Sequence, residues 1–132
     1  MEISATIRSS LNQIDAEVKT NNTAKQVALP AKPSGFGTAV NGGELLLLSL
    51  AACFCNDIYR EAAKMNISVS EVEVIATADF GAEGEPGTNF QYKANVTADA
   101  TAAQIKALIE YTDKTAEIHN TLRKGVNITI AS

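Results

Sequence analysis

The side chains best suited to nucleophilic or proton-transfer chemistry in this sequence are two cysteines, Cys53 and Cys55, and a single histidine, His119. On a helix, Cys53 shares a face with Ser49 (i−4), Asn56 (i+3), Asp57 (i+4) and Arg60 (i+7). Cys55 lies two positions on, about 200° round the helix, among Ala51, Ala52, Ile58 and Tyr59. The two thiols therefore differ in character, one on a polar stripe and one on an aliphatic stripe. The same geometry points them apart, so neither a mutual disulfide nor a shared metal is expected. From the residues alone two readings of Cys53 stand. It is a small core residue, as free cysteines commonly are, or it is a thiolate nucleophile whose pKa is lowered by Arg60 or another arginine. Asp57 would oppose that activation by like-charge repulsion.

Glu44, nine residues before Cys53, is an acid favoured at the head of a helix by the macrodipole. His119, the only histidine, is a structural or surface residue or a catalytic one. Gly35-Phe36-Gly37 is not a phosphate loop, because no Lys-Ser/Thr follows and no strand leads directly into it. No cofactor and no metal site is expected.

The elements that must position these groups follow from hydrophobic periodicity. Ile3–Arg8 and Ile14–Lys19 alternate as half-buried strands do, Asn21-Asn22 marks a turn, and Gln26–Leu29 reads as a third strand ended by Pro30. A Gly- and Pro-rich loop runs to Gly43. Glu44 to about Met65 lacks Gly and Pro and is rich in Leu and Ala, which predicts a long helix. Its first half, Leu45 to Cys55, is apolar all round, the pattern of a helix covered on every side. So short a chain can hardly surround a helix alone, so a second subunit is expected to cover it. Ser70–Phe80 and Phe90–Val96 form a predicted hairpin around the turn Gly81–Gly87. Thr101 caps a helix from Ala102 to about Thr112, a further helical pattern covers Lys114–Leu122, and Gly125 leads into a predicted last strand, Val126–Ile130. This is an α+β chain: N-terminal strands over 1–43, a central helix over 44–66, and a C-terminal sheet and helices over 67–132.

The bulk properties bound the function. The 132 residues fit one domain, with 45% apolar and 20% charged residues and no Trp, so the core must be aliphatic. A net charge of −4 argues against nucleic acid and anionic membranes as partners. No apolar stretch approaches the ~20 residues of a spanning helix. The first residues, Met1-Glu2-Ile3-Ser4, do not resemble a secretory leader, and the closely spaced cysteines are not a disulfide framework, so a cytoplasmic, reducing location is expected.

The run Asn41-Gly42-Gly43-Glu44-Leu45-Leu46-Leu47-Leu48-Ser49-Leu50-Ala51-Ala52-Cys53-Phe54 resembles the signature of the OsmC/Ohr family of organic hydroperoxide resistance proteins, and the element order is similar across nearly the whole chain. The resemblance implies an intertwined homodimer, with strands around long central helices that are buried against each other. It also implies thiol-dependent reduction of organic hydroperoxides by Cys53, in defence against oxidative stress. Glu44 matches a Glu found in a broader branch of the family and would be catalytic with Cys53, and Ser49, Asn56, Asp57 and His119 would belong to the pocket. In the family an arginine from the N-terminal region activates the cysteine; Arg8 is the only arginine there, with Lys19, Lys25 and Lys32 as stand-ins. Ala116-Glu117-Ile118-His119-Asn120-Thr121-Leu122 keeps the end of the family's second motif but has Ala116 where the resolving cysteine would stand. An active protein would therefore need an external thiol reductant. The alternative implied by that departure is a catalytically silent homodimer that binds a small apolar ligand.

Overall fold

A computed structural model describes residues 1–131 as two compact units, Met1–Leu45 and the chain from Leu46 onward. In the first unit, β1 (Ile3–Ser10), β2 (Gln13–Thr20) and β3 (Thr23–Gln26) form an antiparallel sheet in the order β1-β2-β3. Tight two-residue turns join them. Asn12 and Asn21 take left-handed conformations there (φ 58° and 53°), which Asn tolerates better than other side-chain-bearing residues. The β1–β2 register runs from Ile3 opposite Thr20 to Ser10 opposite Gln13. Ala16 on β2 is buried, whereas β1 and β3 are exposed at every residue. The loop that follows is pinned by a bridge between Ala31 and Thr38 and by the Asn12 N–H, which donates to the Gly35 carbonyl. Gly35 has φ +94°, and a Cβ there would come within 2.8 Å of Leu11 Cδ1, so glycine is required.

Helix α1 spans Gly42–Lys64, starting two residues before the expected Glu44. The reason is a reciprocal cap: the Glu44 N–H donates to Asn41 Oδ1 (2.8 Å) and the Asn41 N–H donates to Glu44 Oε1 (2.9 Å). This box offsets the cost of the glycine pair in the first turn.

The second unit contains the rest of α1, then β4 (Ser68–Asp79) and β5 (Thr88–Asp99), an antiparallel hairpin, then α2 (Ala102–Thr115) and α3 (Glu117–Lys124). Alternation puts Val72 and Val74 of β4 and Tyr92, Ala94 and Val96 of β5 on one face. That face packs on a core of Phe54, Ile58 and Ala62 from α1, Leu108 from α2, and Ala116. Thr101 caps α2 as expected, its hydroxyl taking the Gln104 N–H (3.1 Å) while the Gln104 side chain takes the Thr101 N–H (2.9 Å). Gly125, at φ +82°, closes α3.

Three expectations are corrected. The third strand is Thr23–Gln26, not Gln26–Leu29, because its ladder with β2 ends at Glu17 opposite Gln26. The last helix runs over Glu117–Lys124, since Ala116 adopts an extended backbone and interrupts the helical pattern. Val126–Ile130 forms no strand: it finds no strand to pair with among the described residues, and Ile130 is fully exposed. An alternating pattern selects a face, but a strand needs a neighbour for its backbone hydrogen bonds. The first half of α1 is only partly covered within one chain. Leu45, Leu46 and Leu47 are half-buried and Leu48 is 61% exposed. Among the described residues no helix is long and apolar enough to cross a membrane.

Candidate functional site

Helix periodicity places Cys53 and Asp57 one turn apart on α1, and the half-buried Cys53 thiol donates to Asp57 Oδ2 at 3.6 Å. What the helix alone could not supply comes from α3. Its first residue, Glu117, brings a carboxylate to the same spot, so that Cys53, Asp57 and Glu117 each offer one donor atom within 4.8 Å of the others. Arg60 binds this acidic pair through Nη1, 3.2 Å from Asp57 Oδ1 and 2.9 Å from Glu117 Oε1. Its Nε reaches the buried Glu61 at 2.9 Å, and Lys64 lies 3.1 Å from the same Glu61 oxygen. Arg60 is thus held by three carboxylates and is not a direct partner of the thiol. A metal ion at this donor set would have to compete with that guanidinium.

The electrostatics follow from the neighbours. Burial pushes the Cys53 thiol above its ordinary value, the Ile118 backbone N–H draws it back, and the Asp57 and Glu117 charges push it up again. Asp57 is also held above the usual carboxylate range, by burial first and then by its hydrogen bond with Glu117, against the pull of Arg60. Glu117 is held low by its own backbone N–H and by its bonds to Asp57 and Arg60. The Ile118 N–H belongs to the first turn of α3, whose N-cap is Ala116 with no side-chain cap. That N–H opposes, without outweighing, the burial and the two carboxylates that disfavour the thiolate.

Of the other expected residues, Ser49 is half-buried and Asn56 exposed, and the thiol hydrogen goes to Asp57 rather than to either. Glu44 is engaged in the helix cap with Asn41. Arg8, Lys19, Lys25 and Lys32 all lie in the first unit, where Lys19 pairs with Glu17 at 3.5 Å. Cys55 is a free, half-buried thiol. Ala116 is fully buried in the core cluster against which Cys53 packs.

His119 belongs to a second group of side chains. Its ring is 3% exposed, stands edge-on to Tyr92 (centroids 4.6 Å apart) and lies 5.7 Å from Phe54. Burial, with the nearby Arg123, holds the imidazole below its ordinary value against the pull of Asp113, so it is neutral at pH 7. The Tyr92 hydroxyl donates to Asp113, and Arg123 Nη2 bonds the same carboxylate at 2.6 Å. Burial and Asp113 together push the Tyr92 hydroxyl far up. A cavity of about 350 Å³ opens beside this group, lined by Leu46, Leu50, Phe90, Gln91, Tyr92, His119, Leu122 and Arg123. Neither Cys53 nor Asp57 lines it. Sequence reasoning missed Glu117 and the Tyr92–Asp113–Arg123 set. Only Arg123 carried a readable signal, four residues after His119 on one helix.

The family model described as OsmC-like protein matches residues 35–131. This chain belongs to the OsmC-like family. Solved structures agree on the fold. An OsmC-like protein from Mycoplasma pneumoniae superposes with a TM-score of 0.62 at 21% identity, covering 92% of this chain and 86% of that one. An organic hydroperoxide resistance protein from Legionella pneumophila gives 0.56 at 22% identity, covering 93% and 90%. An OsmC-like hydroperoxide resistance protein from Jannaschia sp. gives 0.58 at 17% identity, covering 96% and 87%. No curated protein matches the chain. The OsmC-like fold thus presents Cys53 on the central helix against the start of α3, with Ala116 at that junction.

Proposed function

We propose that this OsmC-like protein is a one-cysteine reductase of organic hydroperoxides, working with an external thiol. The observation that carries the reading is the Cys53 S–H bond to Asp57 Oδ2 (3.6 Å). Asp57, held above the usual carboxylate range, is a stronger base than an ordinary aspartate and accepts the thiol proton. The thiolate attacks one peroxide oxygen. The O–O bond breaks, and sulfur gives up two electrons to become Cys53 sulfenic acid. The departing alkoxide takes the proton held on Asp57 and leaves as an alcohol. An external thiol then attacks the sulfenic sulfur, releasing water and forming a mixed disulfide. A second thiol displaces Cys53 and restores the start. With Ala116 at the α3 N-cap, no thiol stands there to form an internal disulfide.

A homodimer is part of this reading, supported by the exposed Leu48 on α1 and the exposed Ile3, Ile7, Ile128 and Ile130. Sedimentation at micromolar concentration should give twice 13.9 kDa, and a stable folded 13.9 kDa species would remove it. The second reading, a silent ligand-binding member, is favoured by the thiol being held protonated by burial and two carboxylates. Cumene hydroperoxide followed by dimedone and intact-mass measurement separates the two. The active protein should gain one adduct, lost in Cys53→Ser and kept in Cys55→Ser. No adduct until the protein unfolds would leave the silent reading.

A further inference from the structure

The cavity beside His119 has chemistry of its own. The ring is almost fully buried, yet neither Nδ1 nor Nε2 has a hydrogen-bond partner among the described residues. Buried polar groups left unpaired cost stability, so such a group needs an explanation. The ring borders a space of about 350 Å³ walled by Leu46, Leu50 and Phe90, with Arg123 also in its lining. That volume is in the lower part of the range of small-molecule sites, and its mixture of an apolar wall with a few convergent polar groups is typical of them.

We propose that this cavity binds a small monocarboxylic acid with an aliphatic or aryl body, its carboxylate held by His119 and Arg123 and its body against Leu46, Leu50 and Phe90. His119 and Arg123 are four residues apart on α3, so their side chains are neighbours that one carboxylate can bridge. A neutral imidazole offers one N–H, and a guanidinium has five. Arg123 gives Nη2 to the Asp113 carboxylate and Nη1 to the Asp113 carbonyl (3.0 Å) and the Asn120 side chain (3.4 Å), and its Nε remains a donor. Asp113 is the acid that acts on His119, and its charge is already met by Arg123 and the Tyr92 hydroxyl. The head group that fits two convergent donors is an acceptor without hydrogens, and charge-assisted bonds to Arg favour a carboxylate. This inference goes beyond the hydroperoxide reading, since Cys53 does not line the cavity.

The test is titration of the full-length protein with octanoate and with 1-octanol, followed by calorimetry and by NMR of the imidazole. His119 is the only histidine, so its ring signals need no assignment. Octanoate should bind saturably at one site per chain and move those signals, with 1-octanol at least tenfold weaker. His119→Leu and Arg123→Gln should each weaken octanoate at least tenfold, and Cys53→Ser should bind it as the parent does. Equal binding of 1-octanol, no saturable octanoate binding, or octanoate binding without movement of the His119 signals would each overturn the proposal. If either variant fails to fold, the parent's octanoate preference and its imidazole shift still decide the matter.

Discussion

Replacing Asp57 with Asn removes one charge at nearly constant shape and tests how the thiol is controlled. Asp57 Oδ2 lies 3.6 Å from Cys53 Sγ, and a full unit charge at that distance destabilises a thiolate by ~1.2 kcal/mol at the dielectric of water, more at lower dielectric. Arg60, 3.2 Å from the other oxygen, offsets part of that charge, which keeps the effect near the lower figure. At 1.36 kcal/mol per unit, Asp57→Asn should lower the Cys53 pKa by about one unit. The thiolate fraction at pH 7 should rise about tenfold. Iodoacetamide alkylation of Cys53, which reads thiolate alone, should accelerate by that factor in a Cys55→Ser background. Oxidation by cumene hydroperoxide should not follow, because the same substitution removes the carrier of the proton to the leaving alkoxide. Measuring both rates across pH 6–9 makes the comparison. If both rise together by the same factor, Asp57 is only a repelling charge and its proton-carrying role is refuted. If alkylation does not change, the Cys53–Asp57 contact itself is wrong.

Three further outcomes are expected. Ala116→Cys should let Cys53 form an internal disulfide under mild oxidant, since Cys53 packs against the core cluster that contains Ala116, the α3 N-cap; persistence of the dimedone adduct with no loss of two hydrogens would contradict this. Phe54→Ala should cost ~3–5 kcal/mol in a denaturant titration, because the fully buried ring is shared by Tyr92, His119 and the rest of the core. His119 is held below its ordinary pKa in the folded chain, so the unfolded chain binds the proton first and stability must rise with pH through the window at and just below 6.5. Conversely it falls as pH drops through that window, and His119→Leu should abolish this slope; an unchanged slope would mean that other groups set it.

What the sequence settles by itself are features carried by neighbours in the chain. The alternation in β4 and β5, the Thr101–Gln104 cap and the i,i+4 placement of Cys53 and Asp57 all depend on local backbone geometry. The motif around Cys53 and the order of elements likewise carry the family. Tertiary structure decides the rest. Glu117 joins the thiol only because α3 packs against α1, 64 residues along the chain from Cys53, and no periodicity encodes that approach. The same packing moves His119 into the aromatic group with Phe54 and Tyr92, away from the Cys53 face. It also sets both pKa directions, since burial and charge depend on what surrounds a group rather than on its neighbours in sequence. Val126–Ile130 marks the same boundary from the other side. Its pattern reads as a strand, but a strand exists only where another strand accepts its hydrogen bonds, and within the described chain none does.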